Sequence, residues 1–130
     1  MMPRLLIIDD DPLILDCFRY GFVEPEYTVA TATSAAEGVD RFSEYDPDVV
    51  LLDIRLPDMS GLAAFERLHE LDPKVPVILM TGHGTADTAI EAMRLGAYEY
   101  VLKPFDADAL EDLIGNAVRT SRLMRVPALL

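Results

Sequence analysis

Residues 4–12 read Arg4-Leu5-Leu6-Ile7-Ile8-Asp9-Asp10-Asp11-Pro12. Four consecutive large aliphatic residues leave no polar face. The run therefore reads as a strand buried on both sides, as in a parallel sheet covered by helices. Asp11-Pro12 then suits a helix start, with Asp as cap and Pro at the first helical position. This short stretch is a strand, an acidic turn and the opening of a helix, and it predicts a βα unit.

Outward from it, the pattern recurs. Strand-like apolar runs at 27–32, 48–53, 75–81 and 99–102 join the first at 4–9. Between them lie residues at helical spacing: Ile14, Phe18 and Phe22; Ala35, Val39 and Phe42; Leu62, Phe65 and Leu68; Ala86, Ile90, Met93 and Ala97. A fifth stripe runs through Leu110, Ile114, Ala117, Ser121 and Met124, with a small polar residue inside it. Ser34 with Glu37 has capping-box spacing, while Ser60 and Thr85 are cap candidates for the third and fourth helices. Asp46-Pro47 and Asp72-Pro73 mark loops, and Gly96 closes the fourth helix. The pattern is β-α five times over, which predicts an α/β fold: a doubly wound parallel sheet with right-handed crossovers and helices on both faces.

The bulk composition fits one such domain. The chain has 130 residues, 51% hydrophobic and 26% charged, with a net charge of −12. So acidic a chain is a poor match for nucleic acid or an anionic membrane, whose phosphates call for Lys and Arg. Its only lysines are Lys74 and Lys103, and Cys17 is its only cysteine, which excludes an internal disulfide and a cysteine-based zinc site. No apolar run approaches the roughly 20 residues of a membrane span. The first apolar run ends in aspartates, unlike a signal peptide. A cytoplasmic protein is expected. From Arg119 the chain turns basic and apolar, with Pro127 as a helix stop, so 121–130 read as the end of the fifth helix and the start of a linker or tail.

In open α/β sheets ligands bind beyond the carboxyl ends of the strands. Those ends carry Asp9, Asp10 and Asp11, then Asp53, then Thr81, then Lys103-Pro104. Clustered carboxylates repel one another unless a cation compensates, and magnesium needs only one or two of them alongside water. Magnesium with an ammonium and a hydroxyl suits a phosphoryl group. No glycine-rich phosphate loop is present, so a nucleotide site lacks its main support. A carboxylate can itself accept phosphate, and Asp53 is the best placed. Taken singly, each residue has a plainer reading. Asp11 is a helix cap, Thr81 strand filler and Lys103 a solvated lysine. The signal is that separate strand ends each supply what one phosphate–magnesium site needs.

The segments 5–11, 53–62, 76–82 and 96–105 closely resemble, in order, the receiver domain of two-component response regulators. The resemblance covers about residues 3–120 and implies a CheY-like, flavodoxin-like sheet of order 2-1-3-4-5 with five helices. By that resemblance Asp53 accepts the phosphoryl group from a sensor histidine kinase. Asp10 binds Mg2+ directly, Asp9 binds it through water, and the Arg55 carbonyl is a further ligand. Thr81 bonds the phosphoryl oxygen, and Lys103 pairs with Asp53 before phosphorylation and with the phosphoryl group after it. A cis Lys103–Pro104 bond is implied as well. Thr81 and Tyr100 form the switch, helped by Gly82 and Gly84, and they remodel the face of the fourth helix, fifth strand and fifth helix. Without the resemblance, Tyr100 is simply a strand aromatic. Arg55 and His83 flank the phosphoryl position, with His83 itself read as a loop residue. His69 reads as surface and Cys17 as a helix filler.

The segments 81–85 and 92–97 look most like receivers of NtrC-type transcriptional activators. The partners implied are a sensor kinase, a downstream output domain or protein, and a second copy across the switch face. No turnover of an external substrate is expected beyond self-phosphorylation and self-dephosphorylation. Two other readings compete. A dehalogenase-type magnesium phosphohydrolase needs a second aspartate where Arg55 stands, and a cap domain. A phosphorylation-independent pseudo-receiver would carry a damaged site, yet Asp10, Asp53, Thr81 and Lys103 are all present.

Overall fold

The computed structural model describes residues 2–22, 26–82 and 86–126. Strands and helices alternate: β1 (Arg4–Ile8), α1 (Pro12–Gly21), β2 (Thr28–Ala32), α2 (Ala35–Tyr45), β3 (Val49–Asp53), α3 (Gly61–Leu71), β4 (Val77–Thr81), α4 (Ala86–Arg94), β5 (Glu99–Leu102) and α5 (Ala107–Met124). The five strands are parallel, as the βα alternation predicts, and stand in the order β2-β1-β3-β4-β5 that the resemblance implies.

Successive residues of a strand point to opposite faces, so each apolar run feeds two cores. Leu5, Ile7, Val49, Leu51, Ile78 and Met80 pack under α1 and α5. Leu6, Ile8, Val50, Leu52, Val77 and Leu79 pack under α2, α3 and α4. The central strands β1, β3 and β4 are buried almost throughout, which is why their sequences run apolar without alternation. The edges differ from expectation. β2 and β5 have one neighbour each and are half-buried, not covered on both faces. The strands also start or stop a residue or two inside the apolar runs. Pro76 has no N–H to donate, yet its carbonyl still accepts from Val50 N at 3.0 Å.

The helical stripes shift in two places. Leu15, absent from the predicted stripe, is buried on α1 beside Phe18. On α4 the buried residues are Ala89 and Ala92; of the predicted stripe, Met93 packs against the core and Ala97 is buried just beyond the helix, whereas Ile90 and Ala86 face outward. Small residues let that helix lie close to the sheet, so the larger side chain does not mark the inner face. On α5 the stripe holds from Leu110 to Ser121, and Met124 is exposed where the helix runs on.

The predicted caps sit where their chemistry requires. The Asp11 carboxylate accepts from Leu13 N at 2.9 Å, Ser34 Oγ from Glu37 N at 3.2 Å and Ser60 Oγ from Ala63 N at 3.1 Å. Gly96 follows α4 with φ +115°, a conformation that favours glycine. Thr85, Gly84, His83 and Pro127 lie outside the described residues. Beyond Met124, Arg125 donates to the Pro47 carbonyl at 3.0 Å and pairs with Asp46 and Asp48 at 3.6 and 3.8 Å. Among the described residues no helix is long and apolar enough to cross a membrane.

Candidate functional site

The carboxyl ends of β1, β3, β4 and β5 bring the predicted residues together. Asp9 follows β1 and is fully buried, and its amide still pairs across the sheet with the Ala32 carbonyl at 3.0 Å. Asp53 is the last residue of β3 and is buried; Asp10 is exposed at the mouth. Carboxylate oxygens of all three lie within 4.8 Å of one another. Asp11 turns away to cap α1, as its plainer reading holds.

The ammonium of Lys103 reaches into this cluster. It donates to Asp9 Oδ2 at 2.7 Å and stands 3.4 Å from Asp53 Oδ2. Lys103 thus stands within ion-pair distance of Asp53, but its shorter bond goes to Asp9. The Lys103 backbone is fixed by the bond from its N–H to the Thr81 carbonyl at 2.8 Å, and the Lys103–Pro104 bond is cis. The remaining Asp9 oxygen accepts from Asp11 N at 2.9 Å. Asp53 Oδ1 accepts from Arg55 N at 3.2 Å.

Three carboxylates facing one ammonium leave an excess of negative charge. Burial, then the neighbouring Asp9 charge, push the Asp53 carboxyl up to about 6, against the opposing pull of the Arg55 N–H and of Lys103. Burial pulls the Lys103 ammonium down, but the hydrogen bond and charge of Asp9, with the charge of Asp53, more than offset it and leave it raised. An all-oxygen, anion-rich pocket with one open side suits a hard divalent cation, and Asp9, Asp10 and Asp53 are the side chains that could hold one.

Thr81 ends β4 fully buried, and its hydroxyl has no hydrogen-bond partner among the described residues. Such a group costs stability unless something else uses it. Tyr100, in β5, is half-buried against the core beneath α2, α3 and α4. Arg55 is exposed two residues past Asp53. Its loop folds back through a bridge to Ser60, and Gly61 N donates to the Ile54 carbonyl at 2.7 Å. Sequence reasoning missed Asp58 on that loop. Its carboxylate accepts from Ala35 N and Ala36 N, at 2.9 and 3.0 Å, at the start of α2. Nothing in the Pro57-Asp58-Met59 turn signals a bond to a helix 22 or 23 residues earlier.

Comparison with known proteins agrees with this architecture. Residues 5–115 match the response regulator receiver domain family. The regulatory protein AtoC of Escherichia coli is 34% identical over 94% of this chain, and the C4-dicarboxylate transport transcriptional regulatory protein DctD of Pseudomonas aeruginosa is 40% identical over 93%. The chain spans about a quarter of the length of these curated relatives, 26% in each case. Among solved structures, a response regulator receiver domain protein from Clostridium thermocellum superposes with a TM-score of 0.89 at 36% identity, covering 95% of this chain and 99% of that one. NtrX from Brucella abortus superposes with a TM-score of 0.87 at 33% identity, covering 96% of this chain and 28% of that one. With this strand order and a family match over most of its length, the chain belongs to the response regulator receiver domains, and its relatives lie among regulators of the NtrC type.

Proposed function

We propose that this domain is a phosphorylation-activated switch that accepts a phosphoryl group on Asp53 from the phosphohistidine of a sensor kinase. The observation that carries the reading is the convergence of Asp9, Asp10, Asp53 and Lys103 at the sheet's carboxyl edge, where Thr81 also ends its strand with a hydroxyl that has no partner among the described residues. An Asp53 oxygen attacks phosphorus, the P–N bond to the kinase imidazole breaks, and the electron pair stays on that nitrogen. Lys103 neutralises charge on the transferring group from one side. Asp10, Asp53, the Arg55 carbonyl and, through water, Asp9 would hold Mg2+, which when bound would supply the remaining charge compensation. The same residues serve hydrolysis, with water as the nucleophile, so the domain catalyses its own phosphorylation and dephosphorylation.

Phosphorylation adds charge and acceptor oxygens beside Thr81. The Thr81 hydroxyl then turns to the phosphoryl oxygen, and Tyr100 follows into the space it leaves. The readout face comprises α4, β5 and α5. Its support is apolar side chains left in solvent there: Ile90 at 49%, Leu95 at 44% and Leu102 at 58% exposure. That face takes a second copy or a downstream output domain, with 1–120 as the receiver unit and 121–130 continuing α5 towards a linker. The chain itself binds neither nucleic acid nor membrane and acts in the cytoplasm.

Beryllium trifluoride with Mg2+ mimics the phosphoryl group and tests the switch. Amide NMR is expected to move at Thr81, Tyr100 and the α4–β5–α5 face, and not in Asp53→Asn. Binding with no change beyond the β3 end would reject the switch. An unchanged spectrum would favour a phosphorylation-independent pseudo-receiver.

A further inference from the structure

The loop between β3 and α3 is a closed hairpin. Its base is held by the Arg55–Ser60 bridge and by the Gly61 N–H on the Ile54 carbonyl. The two backbones approach closely at that base, since a Cβ on Gly61 would lie 2.6 Å from the Ile54 carbonyl oxygen. The tip is held differently, by Asp58 on α2. A helix leaves its first four N–H groups without helical partners. In α2 the Glu37 N–H goes to its own cap, Ser34, while those of Ala35 and Ala36 go to the two oxygens of Asp58. One carboxylate thereby joins the segment that follows Asp53 to the helix of the preceding βα unit.

We propose that Asp58 is a positioning residue for the cation site: its clasp on α2 fixes the hairpin so that the Arg55 carbonyl is presented to the ion held by Asp10 and Asp53. The proposal rests on the reading of that carbonyl as a Mg2+ ligand. It follows from how the hairpin is built. Arg55 lies within it, one of its ends is tied to β4 by the Ile54 N–H on the Met80 carbonyl at 3.1 Å, and its exposed tip has the clasp as its anchor to α2. Partners that orient a ligand ordinarily matter to ion affinity although they never touch the ion. Coupling is reciprocal, so ion binding also tightens the clasp.

The test is a Mg2+ titration followed by amide NMR, with exchange of the Ala35 and Ala36 amides measured in parallel. Asp58→Ala is expected to weaken Mg2+ about ten-fold, and Asp58→Asn, which keeps one acceptor oxygen, less. In the parent chain Mg2+ is expected to slow exchange at Ala35 and Ala36, and in Asp58→Ala to leave it unchanged. Ser34→Ala is the control, because it removes the helix's own cap without touching the hairpin. Its Mg2+ affinity is expected to match the parent. Equal Mg2+ affinity in Asp58→Ala and Ser34→Ala would reduce Asp58 to a helix cap and overturn the proposal. A parent chain whose Mg2+ response is absent, or is the same in Asp10→Asn, would instead overturn the ion site on which the proposal stands.

Discussion

The Lys103 ammonium donates to the Asp9 carboxylate at 2.7 Å, joining residues 94 positions apart. This bond is shorter than the 3.4 Å separation of Lys103 from Asp53, so in the resting site the lysine chiefly neutralises the buried acid behind the proposed phosphoacceptor. Lys103→Met leaves Asp9 buried without its cation. It is expected to lower stability by roughly 1–3 kcal/mol in urea unfolding, less than for a fully buried pair because Lys103 is partly solvated. Removing a competing positive charge is also expected to tighten Mg2+ binding, while phosphorylation from acetyl phosphate slows by about a hundred-fold. Titration and phosphorylation kinetics on one preparation check both.

Asp53 makes stability depend on pH. Its carboxyl ionises near 6 in the folded chain, above its ordinary value of 3.8, so protonation favours the folded state. The stability it contributes is fully present below pH 3.8 and is lost as pH rises through about 6. Asp53→Asn, which resembles the protonated acid, is expected to be more stable than the parent at pH 7.5 in metal-free buffer by roughly 1–3 kcal/mol. The gap should close towards pH 4. Urea unfolding at several pH values with a chelator measures it.

Thr81 separates stability from switching. Its buried hydroxyl bonds nothing among the described residues, so Thr81→Val is expected to leave the unphosphorylated domain as stable as the parent, or up to about 1 kcal/mol more so. The same variant should still bind beryllium trifluoride at Asp53 but fail to pass the change to Tyr100. Denaturation curves and the Tyr100 amide shift test the two halves separately.

Gly61 tests the hairpin from its base. A methyl group there meets the Ile54 backbone, 2.6 Å from its oxygen and 2.8 Å from its carbonyl carbon, and backbone cannot yield as a side-chain tip can. Gly61→Ala is expected to cost about 3 kcal/mol or more, seen as a fall in thermal midpoint. Gly38→Ala makes a useful contrast, because the atoms a methyl would meet belong to the Ile8 side chain.

The central strands were legible because burial on both faces removes polar alternation from β1, β3 and β4. The convergence of Asp9, Asp10, Asp53, Thr81 and Lys103 was legible for the same reason: each residue stands at or just beyond a strand end, and parallel strands bring those ends to one edge. The inner face of α4 was legible only in part: Met93 and Ala97 pack against the core as the stripe predicts, but Ala86 and Ile90 do not. Ala89 and Ala92 carry too little hydrophobic signal to outweigh Ile90, and tight packing against the sheet decides the matter. The Asp58 clasp was not legible, since the N–H groups it satisfies belong to a helix formed by another part of the chain. The preference of Lys103 for Asp9 depends on side-chain reach, which strand ends do not specify.

The most direct measurement is intact mass after incubation with acetyl phosphate and Mg2+, on the parent chain and on Asp53→Asn. One phosphoryl adduct is expected on the parent, not formed when a chelator is present from the start and absent from the variant. An unmodified parent, or an adduct that survives in Asp53→Asn, would contradict the account of Asp53 as the phosphoacceptor.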